Sequence, residues 1–311
     1  MTSAPDAPDT PPRAARYSVL HDTSYTYDGA VSLSQQVLHL TPRASPWQQT
    51  EALALDILPV PTWREDAQDA FGNPLTRLGF YAPHESLTIR SAMTVRLASR
   101  PLAQAYAGDM PWQTLRDRMA YSGHAPQEGD LQASRFLFES PHIRIKQELA
   151  AYAAPSFPPG QGVLLGAYDL MMRMFTGFIF DPQATTVSTP VMETLAARRG
   201  VCQDFAHLMI ACLRSIGLPA RYVSGYLLTH PPEGQPRLIG ADASHAWVAV
   251  YLPGAPGGWV DLDPTNGLLP DLEHITLGWG RDFSDVSPQR GVILGGGRHE
   301  PLVAVTVTPL G

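Results

Sequence analysis

The sequence predicts an α+β chain of two domains, an antiparallel β-sandwich or barrel followed by a domain with helices first and antiparallel strands after. Three observations carry this. Residues 86–98, SLTIRSAMTVRLA, put Leu87, Ile89, Met93, Val95 and Leu97 on one side and Thr88, Arg90, Thr94 and Arg96 on the other, the alternation of a half-buried antiparallel strand. Further along, Leu164, Tyr168, Met171 and Phe175, and then Phe205, Met209, Cys212 and Ile216, recur at helical spacing. Beyond residue 220 alternating segments return, a pattern of helices then strands that defines α+β. A length of 311 residues exceeds one typical domain.

Taken in order, the opening MTSAPDAPDTPPRAAR is rich in Pro, Ala and Asp and predicts a disordered tail over residues 1–15. It lacks the apolar core of a signal peptide. A β domain is expected over 16–100, with strands at 16–27, 31–40, 52–60, 75–81 and 86–98 separated by Pro, Gly and Asn. Residues 101–160 read as a helical connection with helices at 112–120, 130–139 and 143–153. The second domain, 161–311, begins with a helix from 163. Its run of Met171, Met172 and Met174 reads as core packing, since no Cys or His accompanies it. Thr189-Pro190 predicts the start of a helix over 190–199. Strands are expected at 220–229, 244–252, 257–263, 274–279 and 301–308.

Composition limits the function classes. Hydrophobic content of 44% supports well-formed cores, and the net charge of -7 comes with no basic block, which argues against nucleic acid and anionic membrane surfaces as partners. No run reaches the ~18 apolar residues of a membrane span. The chain has two cysteines. Ten residues apart on one helix they lie roughly 15 Å from each other, too far for a disulfide. Reduced thiols predict a cytoplasmic protein.

The stretch around which the second domain is organised is Gly200–Leu227, GVCQDFAHLMIACLRSIGLPARYVSGYL. Cys202 opens its helix on the side of the apolar stripe, at the positive end of the helix dipole, where a thiolate is favoured. Asp204 opposes this as a nearby charge. A thiol nucleophile needs a base and a group to orient it. The segment SHAWVAVYL places His245, Trp247, Ala249 and Tyr251 on one face, and WVDLDPT places Trp259, Asp261 and Asp263 on one face. In a hairpin turning near Gly254 or Ala255, Asp263 falls either opposite His245 or diagonal to it, within cross-strand reach in both registers. Asp261 lies one pair further from His245. Cys202, His245 and Asp263 thus form a candidate nucleophile–base–orienter set, with a purely structural His–Asp pair as the alternative. No Cys/His spacing suggests zinc, and neither metal nor cofactor is expected.

The three blocks GVCQDFAHLMIACLRSIGLPARYVSGYL, ASHAWVAVYLP and GWVDLDPTNG resemble the signature segments of the transglutaminase-like superfamily. The narrower resemblance is to bacterial two-domain transglutaminase-like proteins described as cysteine proteases. Their Asp-x-Phe-Gly-Asn turn matches Asp69-Ala70-Phe71-Gly72-Asn73. The resemblance implies a papain-like core, a Cys202 nucleophile, a His245 base, an Asp263 orienter and acyl chemistry on a peptide or protein amide. Calcium sites and C-terminal barrels of the animal enzymes have no counterpart in this sequence. Hydrolysis, acyl transfer to an amine, and a binding protein with an idle cleft remain as three readings. The Cys202 backbone N–H supplies one oxyanion donor; the sequence names no second.

Overall fold

The computed structural model describes residues 13–120, 127–186, 188–229 and 244–311, so most of the expected tail lies outside the described residues. In chain order the first elements are β1 (Ala14–Leu38), β2 (Gln48–Leu58), β3 (Trp63–Gln68), β4 (Pro74–Phe80) and β5 (His84–Ala98). Helices α1 (Leu102–Ala107), α2 (Trp112–Met119), α3 (Glu128–Ser134), α4 (Gln147–Ala153) and α5 (Val163–Gly177) follow. After them come β6 (Ile179–Phe180), α6 (Val191–Ala197), β7 (Arg199–Gly200), α7 (Cys202–Ser215), β8 (Ala220–Leu227) and β9 (Ser244–Tyr251). The chain closes with β10 (Trp259–Leu262), β11 (His274–Gly280), α8 (Phe283–Val286), β12 (Gln289–Gly295) and β13 (Leu302–Leu310).

The antiparallel β domain is a curled seven-stranded sheet of order β2-β5-β1-β4-β3, with β12 and β13 also paired to β1. The segments 16–27 and 31–40, expected as two strands, are one 25-residue strand. Its first half runs between β5 and β13, and its second between β4 and β12. Since each half has partners on both sides, Asp28-Gly29 does not reverse the chain; the register instead shifts between Thr26 and Val31. β3, WREDAQ, carries no apolar alternation because it is an exposed edge. A further correction concerns the last strand. Residues 301–308, expected in the second domain, pair with β1 from Arg16↔Leu310 to Ser24↔Leu302. Val305 and Val307 are buried against Val19, Met93 and Val95. Alternation shows that a strand is half-buried, and says nothing of which sheet receives it.

The second sheet has four antiparallel strands in the order β10-β9-β8-β11. Helix α7 packs on the face that bears Ala220, Tyr222, Ala246, Val248 and Val250. The sequence suggests a one-sided apolar stripe on this helix, yet every residue from Asp204 to Arg214 is buried. α4, α5 and α6 cover its other sides, which makes it a central helix. Its buried polar groups are each satisfied. The Arg214 guanidinium donates to the carbonyls of Phe138, Ala220 and Arg281. His207 stacks on His142 at 4.9 Å and accepts the Phe283 N–H. Helix α6 ends at Arg198, in the left-handed region at φ 50°, rather than at Gly200. Pro190 caps it in place of Thr189, so the helix starts one residue later than the sequence suggests.

β11 is an edge strand, and the first domain covers that edge with two side-chain amides. Gln48 accepts the Thr276 N–H at 2.7 Å and donates to the Thr276 carbonyl at 2.7 Å. Asn73 accepts the Trp279 N–H at 3.0 Å and donates to the Trp279 carbonyl at 2.7 Å. Each amide thus does what a neighbouring strand would do. Asn73 is fully buried at the end of the Asp69–Asn73 turn, whose shape Asp69 fixes by accepting from the Phe71 and Asn73 N–H groups. Gly72 takes the φ of +76° that this turn requires. Asn73→Ala leaves two backbone groups of β11 without partners and takes from the Arg43 guanidinium one of its two acceptors, the other being the Phe71 carbonyl. We expect a loss of about 2–4 kcal/mol, read as a lowered urea midpoint at unchanged slope.

Candidate active site

Cys202 is the first residue of α7 and is half-buried. The Val201 N–H donates to the Asp204 carboxylate at 2.8 Å, and Thr185 donates to the same oxygen at 2.6 Å. Asp204 therefore does not simply oppose a thiolate. It folds back on the N-cap amide and closes the turn before the helix, leaving the Cys202 N–H among the first-turn donors with no intrahelical acceptor.

β9 and β10 pair with Trp259 opposite Tyr251 and Leu262 opposite Val248. This is the second of the two expected registers, in which Asp263 is diagonal to His245. His245 Nε2 donates to Asp263 Oδ2 at 2.7 Å; a carboxylate can only accept, so that nitrogen carries the proton. Cys202 acts on the same imidazole, where it favours the protonated ring. The structure thus brings together all three residues singled out in the sequence.

Asp263 is fully buried and heavily bonded. Oδ1 accepts the N–H groups of Thr265 and Asn266, and Oδ2 accepts Asn266 Nδ2 at 2.8 Å and His274 Nε2 at 3.0 Å besides His245. Burial alone would raise its pKa, but the bonds from His245 and His274 hold the carboxyl far below the usual range. For His245 burial favours the neutral ring; the bond to Asp263 and the interaction with Cys202 outweigh it and lift the pKa to about 10. His274 goes the other way, lowered by burial that Asp263 only partly offsets. Its Nδ1 is buried without a partner, as suits a neutral ring. One carboxylate therefore supports one imidazolium, at His245.

Trp247 holds His245 in place. Its ring is fully buried and lies at 6.1 Å and 30° from the His245 ring and edge-on to His274 at 5.2 Å. Its indole N–H donates to Asp261 at 2.8 Å, and Asp261 is ion-paired with Arg100. Asp261, set aside in the sequence because it lies further from His245, anchors this support. Between β9 and β11 runs β8, where Gly225 faces His245 on one side and Thr276 on the other. A Cβ at Gly225 would stand 2.6 Å from the Trp247 ring and against the Ile275 carbonyl. Gly225→Ala is expected to displace Trp247, to cost about 1–3 kcal/mol through overpacking, and to slow Cys202 alkylation more than tenfold, a rate read by peptide mapping.

His274, Asn266 and Gly225 were not singled out in the sequence. The first lies on a strand not adjacent to β9, and only the strand order reveals the contact. The Gly in VSGYL was the one available signal, as a strand glycine often marks close approach. Ligand atoms of His245, Asp263 and His274 lie within 4.8 Å of one another, a group of a kind that holds metals. The separations of 2.7 and 3.0 Å are those of N–H···O bonds, and hydrogen bonding accounts for the cluster.

Two family models match the chain: the bacterial transglutaminase-like N-terminal region over residues 17–96 and the transglutaminase-like superfamily over 163–264. An uncharacterized protein of Mycobacterium tuberculosis (strain H37Rv) is 42% identical over 299 residues, covering 94% of this chain and 93% of its own. An uncharacterized protein of Mycobacterium leprae is 30% identical over 301 residues, covering 95% and 99%. A protein-glutamine gamma-glutamyltransferase of Pseudomonas aeruginosa is 31% identical over 136 residues, 39% of this chain and 20% of that one. Among solved structures, one from Cytophaga hutchinsonii, named as a candidate cysteine protease, superposes with a TM-score of 0.73 at 19% identity, covering 96% of this chain and 92% of its own. That superposition shows a shared fold. Among the described residues no helix is long and apolar enough to cross a membrane. The matches support a cysteine-based hydrolase or transferase. Covering both halves and nearly the whole length, they show that this chain belongs to the transglutaminase-like superfamily and has its bacterial two-domain architecture.

Proposed function

We propose that the protein is a cysteine-nucleophile hydrolase of peptide or protein amides, acting through an acyl-enzyme. The observation that carries the reading is the junction at His245, whose Nε2 donates to the buried Asp263 carboxylate at 2.7 Å while Cys202 acts on the same ring, the two together lifting its pKa to about 10 against the effect of burial. An imidazolium beside Cys202 sustains a thiolate. The thiolate attacks the carbonyl carbon, and the oxyanion forms against the Cys202 N–H. His245 then gives its proton to the departing amine as the C–N bond breaks, leaving a thioester. Water, deprotonated by the now neutral His245, attacks the thioester and releases the acid. Asp263 holds the ring throughout, and its low pKa keeps the proton on His245.

A second reading is favoured by the similarity to the Pseudomonas aeruginosa glutamyltransferase: a primary amine takes the place of water and a new amide forms. The same three residues serve both. Product masses from a glutamine-containing protein substrate, with and without added alkylamine, distinguish them. Hydrolysis gives the same products in both mixtures, and transfer gives an amine adduct. No product from the native chain, or equal product from Cys202→Ala, overturns both. Both cysteines are free, and we assign the protein to the cytoplasm on the ground that a reducing compartment preserves them.

A further inference from the structure

Beside the site, between the first domain and the second sheet, lies a cavity of about 270 Å³ lined by Arg43, Arg100, Arg221, Trp259, Asp261 and Trp279, among others. Arg221, on β8, is only 8% exposed. Its guanidinium is sandwiched between Trp259 at 4.2 Å and Trp279 at 3.8 Å, and Arg43 covers Trp279 at 3.7 Å. Stacking of this kind satisfies the faces of a guanidinium and leaves its edge unused. The five N–H donors point outward in the plane of the group. Among the described residues none of those of Arg221 has a hydrogen-bond or ion-pair partner, and Nε is buried unpaired. Arg100 Nε is likewise buried and unpaired.

Buried polar groups are almost always hydrogen-bonded, and an exception calls for a cause. Among the described residues the one carboxylate lining this cavity is Asp261, already taken by Arg100 and by the Trp247 indole. Three guanidinium groups thus face one acid. Burial pulls the Arg221 pKa down to about 9, with Asp261 opposing and Arg43 and Arg100 adding to the fall. An anion in the cavity would relieve both the missing hydrogen bonds and the like-charge crowding.

We propose that this cavity binds a small organic oxyanion, with a carboxylate or phosphate group held by the in-plane N–H donors of Arg221 and Arg100 and its body against the indoles of Trp259 and Trp279. The volume falls just below the ~300–1,000 Å³ of drug-sized pockets, which limits the occupant to a small molecule. None of Cys202, His245 and Asp263 lines the cavity, so this is a second site. It meets the first through Asp261, which anchors both Arg100 and the Trp247 that supports His245.

The test is calorimetric titration of the full chain with inorganic phosphate and, separately, benzoate, each at ionic strength matched with chloride. Saturable one-to-one binding of at least one probe is expected. Phosphate alone would mark a phosphate site, and benzoate alone a carboxylate with an apolar body. Arg221→Met keeps the stacked stem and removes the donors, a change that is often neutral or stabilising for a buried charge; it should weaken binding at least tenfold. Arg221→Lys retains charge without the planar fork and should also weaken it, so the test stands if the first variant does not fold. Protein alkylated at Cys202 should bind with unchanged affinity, whether or not Cys202 is a nucleophile. No saturable binding of either probe overturns the proposal. So does undiminished binding by the Arg221 variants, or a tenfold loss on alkylation, which would place the anion in the cysteine cleft.

Discussion

Cys202→Ala is expected to reduce amide turnover by roughly 10⁵–10⁶-fold, the scale at which loss of a covalent nucleophile leaves only binding and oxyanion contacts. The fold should not change. Cys202 is half-buried at a helix start, and the turn is held by Asp204, which accepts from the Val201 N–H and the Thr185 hydroxyl, rather than by the thiol. A stability change below about 1 kcal/mol is expected, in the range of surface substitutions. The combination separates a lost nucleophile from a damaged protein, and urea denaturation run beside the turnover assay reads both.

Asp263→Asn is expected to lower turnover by roughly 10²–10⁴-fold with substrate binding little affected. Asp263 Oδ2 accepts from His245, His274 and Asn266 together. An amide nitrogen in that place would point its own donors at three donors. Turning the amide round would set them against the Thr265 and Asn266 N–H groups instead. Either way His245 loses the bond that fixes its proton on Nε2, and its pKa should fall back toward 6.5. The substitution also has a signature in stability. Asp263 has a depressed pKa in the folded chain, so its contribution is present above the ordinary carboxylate pKa of about 3.9 and is lost as pH falls through the folded value. The native chain should lose stability on acidification more steeply than the Asn variant, measured as urea midpoints from pH 6 down to pH 2.

Much of the site was legible in the sequence because its parts are local. A cysteine at a helix start, and a histidine and an aspartate on strands joined by a short turn, are placed by spacing that strand and helix periods fix. The hairpin left two registers, and both kept Asp263 within reach. Contacts made across strand order were not legible. His274 reaches Asp263 because β11 lies beside β8, and Asp261 anchors Trp247 because Arg100 arrives from the end of the first domain. Nor could alternation in 301–308 say that these residues complete the first sheet rather than the second. Pattern reports burial; partners depend on topology. The all-round burial of α7 was masked for a related reason. His207 and Arg214 look like an exposed face until the carbonyls and rings that satisfy them are in place.

The central claim is that Cys202 and His245 act as one unit, and alkylation by iodoacetamide between pH 5 and 9, with peptide mapping of both cysteines, tests it most directly. His245 has its pKa raised to about 10 by Asp263 and Cys202 against burial, which sets a cation beside the sulfur through neutrality. At pH 6 an ordinary cysteine of pKa about 8.5 is only about 0.3% thiolate. Cys202 should react at least tenfold faster than such a thiol there, and His245→Ala should remove the excess. Cys212, fully buried with its thiol pushed up to about 12, should stay silent until the chain unfolds. A Cys202 no faster than a free thiol at pH 6, or one whose profile His245→Ala leaves unchanged, would contradict the account.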